Sequence, residues 1–274
     1  MKKTLSIMLM FAITLTSLFV TACTPEDNTG KQSTPSNKNE ASNEENATPG
    51  LRYVVLDDGT YGVGISEETK TLTNIVVPST FNGKPVTQVI DSGFSGATEI
   101  KSIKLPDTIT AIGFGAFRDC TSLESINIPD GVTTIKTSAF MRCERLSSIV
   151  LPDSVLYLQG RAFSYSGLES ITLSKSLTVI STEAFNECWK LKSITIPEGV
   201  TKIYDKAFGA CSSLTEVYLP LSLTSVEINS FPTSYASPTI YYPGSAEEFS
   251  QIENARFIKG TGEIRFNYTP ESNE

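Results

Sequence analysis

A unit of 23 residues is repeated about seven times along most of this 274-residue chain. One copy runs from Pro129 to Leu151, and the next begins at Pro152. One slot of the repeat holds phenylalanine and another holds proline: Phe94, Phe117, Phe140, Phe163, Phe185, Phe208 and Phe231; Pro78, Pro106, Pro129, Pro152, Pro197, Pro220 and Pro243, with Ser174 once in the proline slot. A fixed period of this length is typical of a solenoid, whose units pack only on their neighbours. Function is therefore expected on a surface.

Each repeat reads as one coil with two extended segments and two corners. Ile126 and Ile128 alternate with polar residues, which is the pattern of a half-buried strand. Proline then ends the strand, because it cannot donate to a ladder. A second short extended segment covers 132–135, and a tight, helical turn is predicted to follow Ser138 and to end near Cys143. The predicted fold class is a mainly β repeat solenoid with short helical turns.

The array needs a cap at each end, since a terminal coil exposes an apolar flank. Residues 51–65 predict a β-hairpin with its turn at Asp58 and Gly59. The first coil is five residues longer than the others, and its insertion is 81–85. At the other end, Ser245 is placed to cap a short helix that reaches Phe249. Residues 255–268 are predicted to form a closing pair of strands.

The first residues read as an export signal and an anchor. Lys2 and Lys3 precede an apolar run from Leu5 to Val20, which is too short and too diluted by Ser and Thr to span a bilayer comfortably. The stretch before Cys23 resembles the lipobox of bacterial lipoproteins, which implies cleavage and acylation at Cys23. The alternative is an ordinary signal peptide with an incidental cysteine. Residues after Cys23 are polar and predict a disordered tether.

These observations divide the chain into five parts. They are a lipoprotein signal peptide at 1–22, a disordered tether at 23–50, an N-terminal β cap at 51–77, the solenoid at 78–243, and a C-terminal cap and tail at 244–274.

Composition argues against several functions. The formal net charge is −8, which disfavours nucleic acid as a partner. The chain has no histidine, so the commonest general base and metal ligand are missing. Carboxylates such as Asp107, Asp130, Asp153 and Glu124 occupy turns and outward slots, where a solvated surface position is the simpler interpretation. We therefore expect no enzyme activity, no cofactor and no metal site.

Four cysteines share one slot, three residues after the repeat phenylalanine: Cys120, Cys143, Cys188 and Cys211. The same slot holds Ala97 in the first coil and Ser166 in the fourth, so it reads as a small buried position. A ladder of reduced, buried thiols is the favoured interpretation. Disulfides between adjacent coils, Cys120–Cys143 and Cys188–Cys211, are the other one, since stacked strands lie about 4.8 Å apart.

The full pattern Leu-x-x-Ile-x-Ile-Pro-x-x-Val-x-x-Ile-x-x-x-Ala-Phe-x-x-Cys resembles the leucine-rich repeats of BspA-like bacterial surface proteins over about residues 72–243. The fourth coil departs from it, being one residue short and without the cysteine. The resemblance implies a bacterial cell-surface, non-enzymatic module, often associated with adhesion. It supplies no fixed set of binding residues.

The outward slots of the strand side are the candidate binding surface. They are small and polar in most coils and become aromatic towards the C-terminal end: Ser125, Asn127, Ser148, Ser193, Thr195, Tyr218 and Tyr241, with Trp189 at a corner. Aromatic side chains on a rigid scaffold are typical anchors for partners. The tyrosines could instead cover the C-terminal cap. The expected partner is a protein or a glycan at the cell surface, the membrane contact is the lipid anchor alone, and we expect a monomer.

Overall fold

The computed structural model describes residues 47–232, 237–259 and 262–269. The signal peptide 1–22, Cys23 and most of the tether 23–50 lie outside these ranges. The described chain forms a β-solenoid of about nine turns with very little helix, as the repeat predicts. Within the same ranges no helix is long and apolar enough to cross a bilayer.

The strands are short and follow the repeat. In chain order they are β1 (Arg52–Val55), β2 (Tyr61–Gly64), β3 (Asn74–Val76), β4 (Thr80–Phe81), β5 (Lys84–Val89), β6 (Ser102–Lys104), β7 (Ala111–Ile112), β8 (Ser125–Ile126), β9 (Thr134–Ile135), β10 (Ser148–Val150), β11 (Tyr157–Leu158), β12 (Ser170–Thr172), β13 (Val179–Ile180), β14 (Ser193–Thr195), β15 (Lys202–Ile203), β16 (Glu216–Tyr218), β17 (Ser225–Val226), β18 (Thr239–Tyr241) and β19 (Ile264–Arg265). Two helices, α1 (Ala246–Ser250) and α2 (Arg256–Lys259), lie between β18 and β19.

Every coil contributes one strand to each of two sides of the solenoid. The first side, called the strand face below, carries three parallel sheets in the orders β3-β6-β8, β10-β12 and β14-β16-β18-β19. The second side carries the sheet β1-β2-β5-β7-β9-β11, with β4 paired to β5, and the sheet β13-β15-β17. Equivalent residues pair in register, as Ser102 does with Ser125 and Ile203 does with Val226, so the sequence period is also the period of the stack.

The third side of each coil is a chain of tight turns around the repeat phenylalanine. In one coil the amides of Ser138, Phe140 and Arg142 donate to carbonyls of the next coil, while those of Ala139 and Met141 donate three residues back within their own coil. Ser138 and Arg142 have φ of 58° and 61°, which is left-handed backbone. The predicted tight turn is present, but left-handed residues on both sides of Phe140 prevent it from forming a continuous helix.

Phenylalanine rings form an unbroken row through the interior. The ring centroids of neighbouring coils lie 5.0 Å apart for Phe140 and Phe163 and 5.7 Å apart for Phe163 and Phe185, with nearly parallel planes. The one-residue deletion in the fourth coil is absorbed without a break in this row. Burial of the rings confirms the inward face that the repeat predicts.

The four cysteines form a second buried row and are free thiols, so the interpretation as disulfides was wrong. Each Sγ–H donates to the carbonyl of the phenylalanine in the preceding coil, as Cys120 does to Phe94 at 3.1 Å and Cys211 does to Phe185 at 3.1 Å. Burial raises the pKa of Cys120 to about 12. The thiol hydrogen bonds therefore join coil to coil, and the nucleophilic thiolate is suppressed.

The N-terminal end is closed by two hairpins. β1 and β2 pair antiparallel across a turn that contains Gly59 at φ 79°, as predicted. The insertion in the first coil is a second hairpin, β4 with β5, turned at Asn82 and Gly83, both of positive φ. The ring of Tyr53 stacks on Phe81 with centroids 3.8 Å apart, which joins the two hairpins.

The C-terminal end is closed by helix α1 and strand β19. A capping box begins α1: the Ser245 side chain accepts from the amide of Glu248, and the Glu248 carboxylate accepts from the amide of Ser245 at 2.7 Å. The expected strand pair in 255–268 was wrong, because the described residues of this stretch form helix α2 first and then the single strand β19. α2 buries Ile258 completely, and β19 adds to the strand face by pairing with β18.

Candidate functional site

The strand face presents two columns of outward side chains, at the first and third residue of each strand. Ser125, Ser148 and Ser193 are exposed in the first column, and Thr195 is exposed in the second. The register places Thr195 beside Tyr218, and Tyr218 beside Tyr241. The face therefore changes from small polar side chains to tyrosines between β14 and β16.

Three tyrosines meet at this C-terminal part of the face. The rings of Tyr218 and Tyr241 are stacked, with centroids 4.6 Å apart and planes 14° from parallel. Tyr268 follows β19 and brings its ring to 5.3 Å from Tyr218 and 5.1 Å from Tyr241. All three side chains stay half-buried, so they cover part of the cap and also face solvent.

Glu216 and Arg265 place charged groups next to the tyrosines. The hydroxyls of Tyr218 and Tyr241 donate to the two carboxylate oxygens of Glu216, at 3.2 and 3.5 Å. Partial burial, followed by the nearby Glu216 carboxylate, raises the pKa of Tyr218 to about 12. The guanidinium of Arg265 lies 5.5 Å from the centre of the Tyr241 ring. The Tyr218 phenol is thus a protonated hydrogen-bond donor in the physiological range, and a guanidinium already lies over the Tyr241 ring.

A groove of about 780 Å³ opens beside these rings. It is lined by the tyrosines, by Thr195, and by the residues that follow the strands, among them Pro197 and Glu198. We call it the tyrosine groove. The Oε1 of Glu198 accepts from the amide of Leu221 at 3.1 Å, which holds the carboxylate in place. Glu198 is the one charged side chain among the described residues that line the groove.

A second, smaller cleft lies where the strand face is interrupted between β8 and β10. Its volume is about 490 Å³, and Ser125, Asn127, Ser148 and Val150 are among its lining residues. The side-chain amide of Asn127 bridges to the preceding coil. Its Oδ1 accepts from the Leu105 N–H and its Nδ2 donates to the Leu105 carbonyl, at 2.8 Å each. The Asn127 side chain therefore makes the hydrogen bonds to Leu105 that a backbone ladder would otherwise make, and its polar groups are already engaged within the protein.

The structure thus divides the predicted site residues into groups. It brings Thr195, Tyr218 and Tyr241 together in the tyrosine groove. Ser193 lies on the same strand as Thr195, while Ser125, Asn127 and Ser148 belong to the other cleft. Trp189 is half-buried in the corner turn before β14 and lines neither cavity.

Sequence reasoning missed Tyr268 and Arg265. Both lie beyond the last repeat, in a segment without the 23-residue pattern, so they belong to none of the outward columns from which the binding surface was predicted. Pairing of β19 with β18 puts Arg265 next to Tyr241 in register. The aromatic content of the final residues was the one available signal.

Rings, prolines, hydroxyls and one carboxylate line the groove, and over the described ranges no three His, Cys, Asp or Glu side chains converge as metal ligands would. A stack of parallel coils with a rigid, regular strand face is the leucine-rich repeat class of solenoid. Six copies of a family model, the BspA type leucine-rich repeat region, match residues 67–188 and 134–262. The chain belongs to this family, whose members are generally bacterial surface proteins.

Solved structures with a similar fold come from several bacteria. A leucine-rich repeat protein of T. pallidum is 24% identical, with a TM-score of 0.47 over 72% of this chain and 85% of that one. A leucine-rich cell surface protein of Faecalibacterium prausnitzii A2-165 is 19% identical, with a TM-score of 0.46 over 76% and 97%. A leucine-rich repeat protein of Bacteroides ovatus ATCC 8483 is 21% identical, with a TM-score of 0.45 over 79% and 75%. A search among curated proteins gave no match.

Proposed function

We propose that this chain is an exported bacterial surface protein, anchored by lipid at Cys23, whose strand face binds a protein partner without catalysing a reaction. Membership in the BspA type family supports surface exposure and a binding role. The polar residues that follow Cys23 would hold the solenoid away from the membrane. Rings and hydroxyls suffice to recognise a protein partner, and the described surface has both.

The observation that carries the binding role is the tyrosine groove. Tyr218, Tyr241 and Tyr268 expose part of their rings on a face whose backbone is fixed by parallel ladders. Tyrosine supplies large contact area at a low cost in side-chain entropy, and hot spots of protein interfaces are enriched in it. The groove is also large enough to accept side chains of a partner.

A comparison of two double variants tests this role. Intact cells or purified full-length protein would be cross-linked to surface material of neighbouring cells. The partners recovered with the wild type would then be compared with those recovered with each double variant. Tyr218→Ala with Tyr241→Ala should lose a partner that Leu156→Ala with Tyr157→Ala, at exposed positions on the second side, retains. Equal recovery by both double variants would remove the groove from the proposal.

The anchor is tested separately, since Cys23 lies outside the described residues. Cys23→Ala should move the protein from the membrane fraction to the soluble fraction, because acyl chains supply the membrane affinity. Cys120→Ala, at a buried thiol, should leave fractionation unchanged. A Cys23→Ala protein that stays with the membranes would show that another segment holds it.

A glycan is the second candidate ligand. The exposed tyrosine rings can stack on the apolar face of a sugar, and Thr195 and Glu198 lie in the same groove to bind hydroxyls. Glycan-array binding that disappears with Tyr218→Ala plus Tyr241→Ala would favour this candidate. Binding restricted to protein ligands would reject it.

A further inference from the structure

Among the described residues, one ring face in the tyrosine groove has no aromatic neighbour. Tyr218 stacks on Tyr241 with one face, and the strand on its other side carries Thr195 at the paired position. Adjacent strands lie about 4.8 Å apart, so the space above Thr195 is where a third stacked ring would lie. Threonine is too short to fill it. The open face of Tyr218 is therefore a flat platform that a planar group of a ligand can cover.

The charge beside this platform is negative. Glu198 lines the groove, and Glu216 lies at the hydroxyl ends of Tyr218 and Tyr241. Arg265, a cation that contacts this cluster, is held by Glu263 at 3.2 Å and lies over Tyr241. A ring face with carboxylates beside it attracts a cation, because the ring quadrupole and the carboxylates act in the same direction.

Both kinds of side-chain cation lie over tyrosine rings in this chain, and the Lys202 ammonium is 4.4 Å from the centre of the Tyr204 ring. The guanidinium of Arg265 packs over Tyr241 in this cluster, and that of Arg142 lies 5.5 Å from the ring centre of Tyr165 on another side of the solenoid. Guanidinium is planar, is weakly hydrated and binds a carboxylate through two parallel hydrogen bonds. An ammonium group lacks the planar surface that the platform matches.

We propose that the tyrosine groove binds an arginine side chain of a basic protein segment, with the guanidinium stacked on the open face of Tyr218 and paired with Glu198. This inference rests on the proposed function and specifies its ligand. The groove would accept the arginine, and the rest of the strand face would accommodate the partner's neighbouring residues. A neutral glycan can donate a hydroxyl to Glu198, but it forms no ion pair with the negative charge of the groove.

Short labelled peptides test the proposal against the full-length protein by fluorescence anisotropy. The probe is an octapeptide of alternating Gly and Arg, and matched peptides carry Lys or the neutral isostere citrulline in place of Arg. The arginine peptide should bind, the lysine peptide should bind several-fold more weakly, and the citrulline peptide should not bind. Tyr218→Leu and Glu198→Gln should each weaken binding of the arginine peptide by about tenfold.

Matched variants control for attraction of a cationic peptide to a chain of net charge −8. Glu99→Gln removes an exposed carboxylate elsewhere, and Tyr157→Leu removes a tyrosine that is 62% exposed on the second side. Both should bind like the wild type. Equal weakening by Glu99→Gln and Glu198→Gln would overturn the proposal, and so would unchanged binding by Tyr218→Leu. Because Glu198 is exposed, Glu198→Gln keeps the test valid even if Tyr218→Leu misfolds.

The same set separates the two levels of inference. If the arginine peptide does not bind but a protein partner is still recovered through Tyr218 and Tyr241, the ligand is wrong and the function stands. If neither a peptide nor a partner binds through the groove, both are wrong. Displacement of the arginine peptide by a neutral oligosaccharide would assign the groove to glycans instead.

Discussion

Left-handed backbone recurs at two slots in each of the coils from Phe94 to Phe208, and most of the residues there are not glycine. The slot two residues after the phenylalanine holds Asp119, Arg142, Tyr165, Glu187 and Ala210, all with φ between 53° and 61°. Each costs about 1–2 kcal/mol relative to right-handed backbone. The structure tolerates this cost because the two flanking bends let alternate amides reach the next coil. Strain at single residues is thus exchanged for hydrogen bonds between coils.

Replacement of Ala210 by glycine should therefore stabilise the protein. Relief of the left-handed strain, about 1–2 kcal/mol, exceeds the added backbone entropy of glycine, about 0.5–1 kcal/mol. A net gain of about 0.5–1 kcal/mol in the free energy of unfolding is expected in urea denaturation. Ala207→Gly is the control, since Ala207 is buried, has no positive φ and should lose stability. Comparable losses in both variants would contradict the strain at Ala210.

At the scale of elements, the end of the solenoid depends on a helix of five residues. α1 is too short to be stable by propensity alone, so its capping box and the burial of Phe249 hold it in place. Phe249 contacts Tyr242 and Phe266 edge to face, with centroids 5.3 and 5.6 Å away. The helix thereby covers the flank of the last coil, as a cap must.

Loss of the cap residue should destabilise this end. Ser245→Ala removes the acceptor of the Glu248 amide, and N-cap losses of this kind cost about 1 kcal/mol. Urea denaturation would measure the change. Ser250→Ala, at the other end of α1, is the control and should cost less. A Ser245→Ala protein as stable as the wild type would show that packing of Phe249 suffices.

The capping box of Ser245 and Glu248 also makes the stability of the protein depend on pH. The pKa of Glu248 is lowered, first by its hydrogen bond from the Ser245 amide, so its folded value lies below its ordinary value of 4.5. The stabilisation is fully present above pH 4.5 and is lost as the pH falls through the folded pKa. Glu248→Gln should therefore be less stable than the wild type at neutral pH, and the difference should shrink in acid. A difference that is constant with pH would exclude ionisation of Glu248 as its source.

At the scale of the whole array, the coils share one interior. The phenylalanine row, the rows of aliphatic side chains and the row that holds the four thiols and Ser166 continue from coil to coil, so each coil packs against both of its neighbours. Stability in such an array is a sum of coil terms and interface terms, and a defect in one coil weakens both of its interfaces.

Phe140→Asp tests this dependence. The substitution removes a ring that contacts two neighbours and places an unpaired charge in the core. Loss of a core phenylalanine alone costs about 3–5 kcal/mol, so we expect several coils to unfold. Val150→Asp, at an outward slot of the same coil that is 65% exposed, should leave the thermal midpoint nearly unchanged. Similar melting of wild type and Phe140→Asp would contradict the shared interior.

The sequence by itself determined the solenoid, its inward rows and the hairpin and helix that begin its caps. These features follow from local patterns: a residue slot repeats, strands alternate, and Ser245 precedes Glu248 by three residues. Only the tertiary structure decided that the strand face breaks between β8 and β10, that Asn127 bonds Leu105 across the coils, and that Tyr268 completes the groove. Tyr268 lies beyond the repeat pattern, while the break and the Asn127–Leu105 bond arise inside it from how neighbouring coils pack, which the pattern does not specify. The tyrosine groove as a whole was decided by the tertiary structure. The sequence showed the columns that hold Tyr218 and Tyr241, but it did not show the other residues that line the groove.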